Sequence, residues 1–128
     1  MDEKTFKDRT KKFGLSIIRL VESLPNTRTA DVIGRQILRS ATSIGANYRA
    51  ACRAKSPADM LNKFKIVEEE GDETLYWLEL LGESGLVPQA QLTPLLKEGN
   101  ELIAMTVASI KTLRAKTNRQ SSIVNRQS

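Results

Sequence analysis

Apolar side chains recur along this chain in alternating steps of four and three, with polar residues filling the positions between. The first stripe, Phe6, Thr10, Phe13, Ile17, Leu20 and Leu24, predicts an amphipathic helix over about residues 3–24. Leu24-Pro25-Asn26-Thr27 ends it, because proline disfavours the helical conformation in the residue before it and asparagine favours turns. The second stripe, Ile33, Ile37, Ala41, Ile44, Tyr48 and Ala51, predicts a helix over about 28–54 that contains Gly34 and Gly45. Glycine in a helix interior costs about 1 kcal/mol relative to alanine, so this pair points to a neighbouring helix that packs closely.

Ser56-Pro57-Ala58-Asp59 reads as a helix start. Serine caps, proline sits where its missing N–H is no loss, and aspartate faces the positive end of the helix dipole. The helix it opens, about 57–83, carries Met60, Phe64, Val67, Gly71, Thr74, Leu78 and Leu81, a heptad seam that favours left-handed packing at roughly 20°. A turn at Gly82-Glu83-Ser84-Gly85 follows, and then Leu96, Gly99, Ile103, Thr106, Ile110 and Leu113 form a fourth stripe. Pro94 leaves two starts open for that helix: after Pro88 with a distorted first stretch, or at a Thr93 cap with Pro94 first. Beyond Thr117 the near-repeat NRQS-SIV-NRQS predicts a polar, disordered tail, so one domain is expected over 1–117 with 118–128 outside it. Four amphipathic helices on short links make an all-α, up-down-up-down antiparallel four-helix bundle, and no strand pattern competes.

Composition narrows the chemistry. The 128 residues include no histidine and one cysteine, Cys52, which leaves no intrachain disulfide, no histidine base for a nucleophile and no Glu-x-x-His di-iron motif. Neither a phosphate-binding glycine loop nor a nucleophile elbow is present. The acidic run Glu68-Glu69-Glu70-Gly71-Asp72-Glu73 allows one enzymatic alternative, an oxygen-ligated metal on Glu69, Glu70 or Glu73, but consecutive residues point around a helix rather than converging. A non-enzyme without a cofactor is the expectation. No apolar run approaches the roughly 18 residues of a membrane span and the amino terminus is polar, so a cytoplasmic location and no membrane partner are expected.

The net charge of +5 hides a segregation along the chain. Residues 1–55 hold 12 Lys/Arg and 5 Asp/Glu, residues 56–101 hold 3 and 10, and residues 102–128 hold 5 and 0. On the second helix, Arg28, Arg35, Arg39, Arg49 and Arg53 share the outward face over about 37 Å. A guanidinium forks onto carboxylate or phosphate oxygens. The row therefore suits either a neighbouring subunit's acids or a nucleic-acid backbone, RNA or single strands, with Lys111, Arg114, Lys116 and Arg119 as a second basic stretch. A solvated face with isolated ion pairs is the plain alternative. Tyr76 and Leu80, with Trp77 beside them, lie outside the seam of the third helix and suggest an oligomer contact.

Two segments carry a resemblance. Arg39-Ser40-Ala41-Thr42-Ser43-Ile44-Gly45-Ala46-Asn47-Tyr48-Arg49, followed by Glu69-Glu70-Gly71-Asp72-Glu73-Thr74-Leu75-Tyr76-Trp77-Leu78-Glu79-Leu80-Leu81, is similar to the bacterial four-helix-bundle family of proteins encoded in intervening sequences of large-subunit ribosomal RNA genes. The likeness covers roughly 5–115, with Gly71 standing where the family pattern carries alanine. It implies an antiparallel bundle assembling into a ring-like homopentamer without known catalysis. The resemblance extends to the accessory protein of diversity-generating retroelements, a basic pentamer that binds a reverse transcriptase and nucleic acid. A purely structural protein–protein assembly role is the alternative it leaves open.

Overall fold

The computed structural model describes residues 2–127, with side chains through Gln120. Four helices follow one another: α1 (Glu3–Glu22), α2 (Arg28–Cys52), α3 (Pro57–Glu83) and α4 (Gln89–Gln127). No strand occurs among the described residues. Each of the first three starts on a side-chain cap: Asp2 accepts from the Thr5 amide at 2.7 Å, Thr27 from Ala30 at 3.2 Å and Ser56 from Asp59 at 3.1 Å. These bonds satisfy amides that the first helical turn leaves without a carbonyl partner. The α3–α4 turn uses Gly85 at φ 79, a conformation that costs glycine little, and the Val87 amide reaches back to the Leu81 carbonyl at 3.1 Å.

The four helices meet in one core, in which α4 contributes Leu92 and Leu102 while Leu96, Ile103 and Leu113 of its expected stripe are half-buried. Phe6, Phe13, Ile17 and Leu20 of α1, Ile37, Ala41 and Ile44 of α2, Val67, Leu78 and Leu81 of α3, and Leu92 and Leu102 of α4 are all buried. Buried hydroxyls at the same seams are satisfied locally, with Thr74 donating to Ser40 Oγ at 2.9 Å across the α2–α3 contact. The register is set by close approaches. A Cβ placed on Gly45 would lie 3.4 Å from Thr10, one on Gly34 3.2 Å from Leu24, one on Gly71 2.7 Å from Ile103 and one on Gly99 2.9 Å from Leu75. Gly71 and Gly99 therefore sit where a neighbouring helix presses close, Gly45 touches α1, and Gly34 lies under the link that follows α1. Consecutive helices run antiparallel, and α1 meets α4 more sparsely than the other neighbours meet.

One feature decides between alternatives that the sequence reading left open, and a second differs from it. α4 begins at Gln89, so the first of the two starts is the observed one, and Pro94 lies inside the helix. A proline there forfeits the bond to the Ala90 carbonyl, and the Thr93 hydroxyl donates to Gln89 O at 3.0 Å beside it. Leu92 upstream is fully buried, which anchors this first stretch. α4 is also 39 residues long, running on as helix to Gln127 where a polar tail was expected from residue 118. The packed body nevertheless ends at Leu113, because residues 114–120 are all exposed; the side chains of the final repeat lie outside the described residues.

Candidate functional site

All five arginines of the stripe, four in α2 and Arg53 at its C-cap, are exposed, but they are not equivalent. Arg39 is held by α3: its guanidinium donates to Glu70 at 3.1 Å and to Glu73, whose carboxylate also accepts from the Trp77 indole at 3.1 Å. Arg35 pairs within its own helix with Asp31 at 3.2 Å. Arg28, Arg49 and Arg53 form no ion pair among the described residues. The stripe is thus divided by a central acidic clamp, with Arg28 and Arg35 toward one end of the bundle and Arg49 and Arg53 toward the other.

Antiparallel folding gives Arg49 and Arg53 new neighbours. The start of α1, the end of α2, the start of α3 and the C-terminal part of α4 meet at one pole. Phe6 packs edge-on against Tyr48 with centroids 4.4 Å apart, and Tyr48 stacks with Phe64 at 6.2 Å. Met60 and Phe64 line a cleft with Met105, Ser109, Leu113 and Lys116. Around this pole stand Lys4 and Lys7 from α1, Arg49, Arg53 and Lys55 from α2 and its exit, Lys63 and Lys65 from α3, and Lys111, Arg114, Lys116 and Arg119 from α4. These eleven basic groups face three acids, Asp2, Glu3 and Asp59, a local balance of +8. Residues 8–48 and 66–110 together hold eight basic and twelve acidic groups, a balance of −4. Of the eleven, Lys7 alone pairs with an acid, Glu3 at 3.8 Å, among the described residues. Lys111, Arg114, Lys116 and Arg119 therefore join Arg49 and Arg53, while Arg28 and Arg35 stand apart.

The sides of the bundle carry two further surfaces. On α3, Tyr76 is 53% exposed and meets the ring of half-buried Trp77 at 5.2 Å, with half-buried Leu80 one turn on. Lys65, Glu69, Asp72, Tyr76, Glu79 and Glu83 make an exposed ridge along this helix. Between α1 and α2 runs an open groove of about 940 Å³ whose lining includes Lys4, Lys7, Lys11, Arg49, Leu15 and Ile18. Leu15 and Ile18 are 42% and 38% exposed, and a Cβ on Gly14 would meet nothing within 4 Å. The sequence reading passed over this groove. Its signal was present as two apolar residues off the α1 stripe, but a one-helix pattern does not reveal that α2 leaves them uncovered.

The acidic run builds an ion-pair cluster. Glu70 and Glu73 turn to Arg39 while Glu69 is exposed, and no group of three or more His, Cys, Asp or Glu side chains among the described residues is arranged to hold a metal. A second cluster ties α1 to α4, where Arg9 donates to Glu98 and, at 3.0 Å, to Glu101. The hydrogen bond from Arg9 holds the Glu98 carboxyl below its ordinary range. Cys52 is half-buried, and burial, reinforced by the nearby Glu3 carboxylate, pushes its thiol up, away from the reactive thiolate. No described helix is long and apolar enough to cross a membrane.

Residues 3–108 match the sequence pattern of a family described as 23S rRNA-intervening sequence protein. Among solved structures, a protein of unknown function from the S23 ribosomal protein family of Bacteroides thetaiotaomicron is similar, with 38% identity and a TM-score of 0.81 over 87% of this chain and 99% of that one. No curated protein matches.

Proposed function

The chain belongs to the 23S rRNA-intervening sequence protein family, and from that premise and the chemistry of its pole we propose that it is a non-catalytic, self-associating scaffold that binds nucleic-acid backbone. Structured RNA or single strands are the expected ligand, and the assembly is taken as pentameric from the family likeness. The observation that carries the reading is the pole, where four helices contribute eleven cations and only one has an acidic partner among the described residues. Phosphates neutralised there would release counterions, so affinity would fall steeply with salt and depend little on sequence. Base reading is not expected, because Tyr76, the one exposed aromatic side chain among the described residues, lies on the acidic helix.

Fluorescence anisotropy with a mixed-sequence RNA at about 50 and 200 mM salt tests this. Binding should appear at the lower salt, weaken in a triple variant Arg49→Ala, Arg53→Ala, Lys111→Ala, and survive Arg28→Ala with Arg35→Ala. Absence of binding at the lower salt would leave the second reading, a protein–protein assembly module. That reading is favoured by one observation, the capture of Arg39 by the acids of α3.

A further inference from the structure

Arg9 ties α1 to α4 through one guanidinium with three partners spread over two turns. Its Nε and Nη2 donate to Glu98, Nη2 also donates to Glu101 at 3.0 Å, and Nη1 donates to the thioether sulfur of Met105 at 3.3 Å. The last of these is an unequal match. A thioether is a weak acceptor, and the two carboxylates already occupy Nε and Nη2, so a cationic N–H is left facing a partner that barely uses it. We propose that Met105 is a reversible oxidation site whose sulfoxide is retained in the fold by Arg9. The proposal goes beyond the nucleic-acid reading and does not depend on it.

Half-buried Met105 lines the open cleft between α3 and α4, about 560 Å³, together with Met60. That cleft gives a small oxidant such as hydrogen peroxide a route to the side chain without unfolding of the bundle. A sulfur lone pair attacks one peroxide oxygen, the S–O bond forms and the O–O bond breaks. The proton on the transferred oxygen passes to the departing hydroxide, which leaves as water; the sulfur is oxidised by two electrons and the peroxide reduced. One lone pair faces Nη1, so attack uses the other, and rotation about the terminal bonds of this flexible side chain turns the new oxygen to Nη1. A sulfoxide oxygen carries partial negative charge, and beside a guanidinium it accepts a charge-assisted hydrogen bond. Met60 is the internal comparison. It is half-buried on the same cleft, but none of the described hydrogen bonds reaches its sulfur. A sulfoxide there brings a polar oxygen among Phe64, Met105 and Leu113 with no donor to receive it. The two methionines thus share access and differ in what meets the oxygen. Oxidation at Met105 leaves the sparse α1–α4 seam held, whereas oxidation at Met60 loosens the cleft.

Peroxide treatment of the full chain with peptide mass spectrometry tests access. Met105 should convert in the native protein within roughly tenfold of its rate in the urea-unfolded chain, and protection far beyond that overturns the proposal. Retention is tested by melting temperature before and after oxidation in three proteins: Met60→Leu, Met60→Leu with Arg9→Lys, and Met105→Leu. The lysine keeps a cation for Glu98 but gives up the planar fork that serves the acids and the sulfur together. Met1 is common to all three, so its oxidation cancels. Oxidation should shift Met60→Leu by less than about 2 °C and lower the other two by about 4 °C or more. Treatment of oxidised Met60→Leu with methionine sulfoxide reductases and a thiol reductant should return Met105 to the thioether in the folded protein, and a Met105 sulfoxide that resists them overturns the claim of reversibility. A loss in Met60→Leu equal to that in either of the other proteins removes Arg9 as the group that receives the oxygen.

Discussion

Replacing Gly14 and Gly71 by alanine makes the same chemical change in two helix interiors with opposite expected results. Helix propensity favours alanine by about 1 kcal/mol at either site. At Gly14 the added methyl meets nothing within 4 Å, so that gain should be realised, raising the melting temperature by about 3–5 °C for a domain of this size. At Gly71 the methyl would lie 2.7 Å from Ile103 Cγ1 and 3.2 Å from its Cδ1, well inside the 3.5–4.0 Å of a relaxed carbon contact. Cγ1 is bonded to the branched Cβ, whose χ1 is tightly restricted in a helix, so it moves only off its rotamer or together with α4, and overpacking of this kind costs about 1–3 kcal/mol. The balance is a loss of about 0–2 kcal/mol. Urea unfolding followed by circular dichroism measures both variants. Truncating Ile103 to alanine should abolish the penalty in a double-mutant cycle, leaving a coupling term favourable to the small–small pair. If Gly71→Ala stabilises as much as Gly14→Ala, the claim that α3 and α4 press together at this level is wrong.

Three other outcomes follow from particular contacts. Because Arg9 lowers the Glu98 pKa, the stability this carboxylate contributes is present above its ordinary value of 4.5 and is lost as pH falls through the lowered folded value. Glu98→Gln should therefore flatten the stability–pH curve between 4.5 and that lowered value, and an unchanged acid limb would refute the assignment. Ser40→Ala removes one side of the buried hydroxyl pair but frees the Thr74 proton for the Glu70 carbonyl, 2.8 Å away. Its cost in urea unfolding should stay near 0.5–1.5 kcal/mol, and a loss well above that would mean Thr74 is left without a partner. In the RNA assay the triple pole variant should lower the slope of log affinity against log salt by about two to three, and an unchanged slope would remove those groups from the interface.

The fold was legible because each helix announces itself alone. The stripes from Phe6, Ile33 and Val67 match buried faces, and the Ser56-Pro57 start is the observed one. Less legible was what depends on two helices at once. Pro94 reads as a boundary because proline breaks a helix bond, yet burial of Leu92 and Val87 holds the turn before it in place. The arginine stripe reads as uniform on a helical wheel. Only the register with α3, fixed by Ser40 against Thr74, reveals that Glu70 and Glu73 meet Arg39 and no other member. The pole was invisible for the same reason, since its cations are scattered from Lys4 to Arg119 and become one surface only when four helix ends are brought together. Gly71 looked like a small departure from a family pattern, and its contact with Ile103 makes it a packing constraint.

The uneven division of charge also makes the molecule an electric dipole. Backbone dipoles of antiparallel neighbours largely cancel, so the moment comes from side chains, with the +8 end set against a body of −4 along the bundle's long axis. A freely tumbling copy approaching a polyanion would feel a torque before it touched, turning its cationic end forward and its acidic flank away. Encounters would then be selected by orientation as well as by collision, and the selection would fade as the Debye length shrinks from about 10 Å at 0.1 M salt to about 3 Å at 1 M.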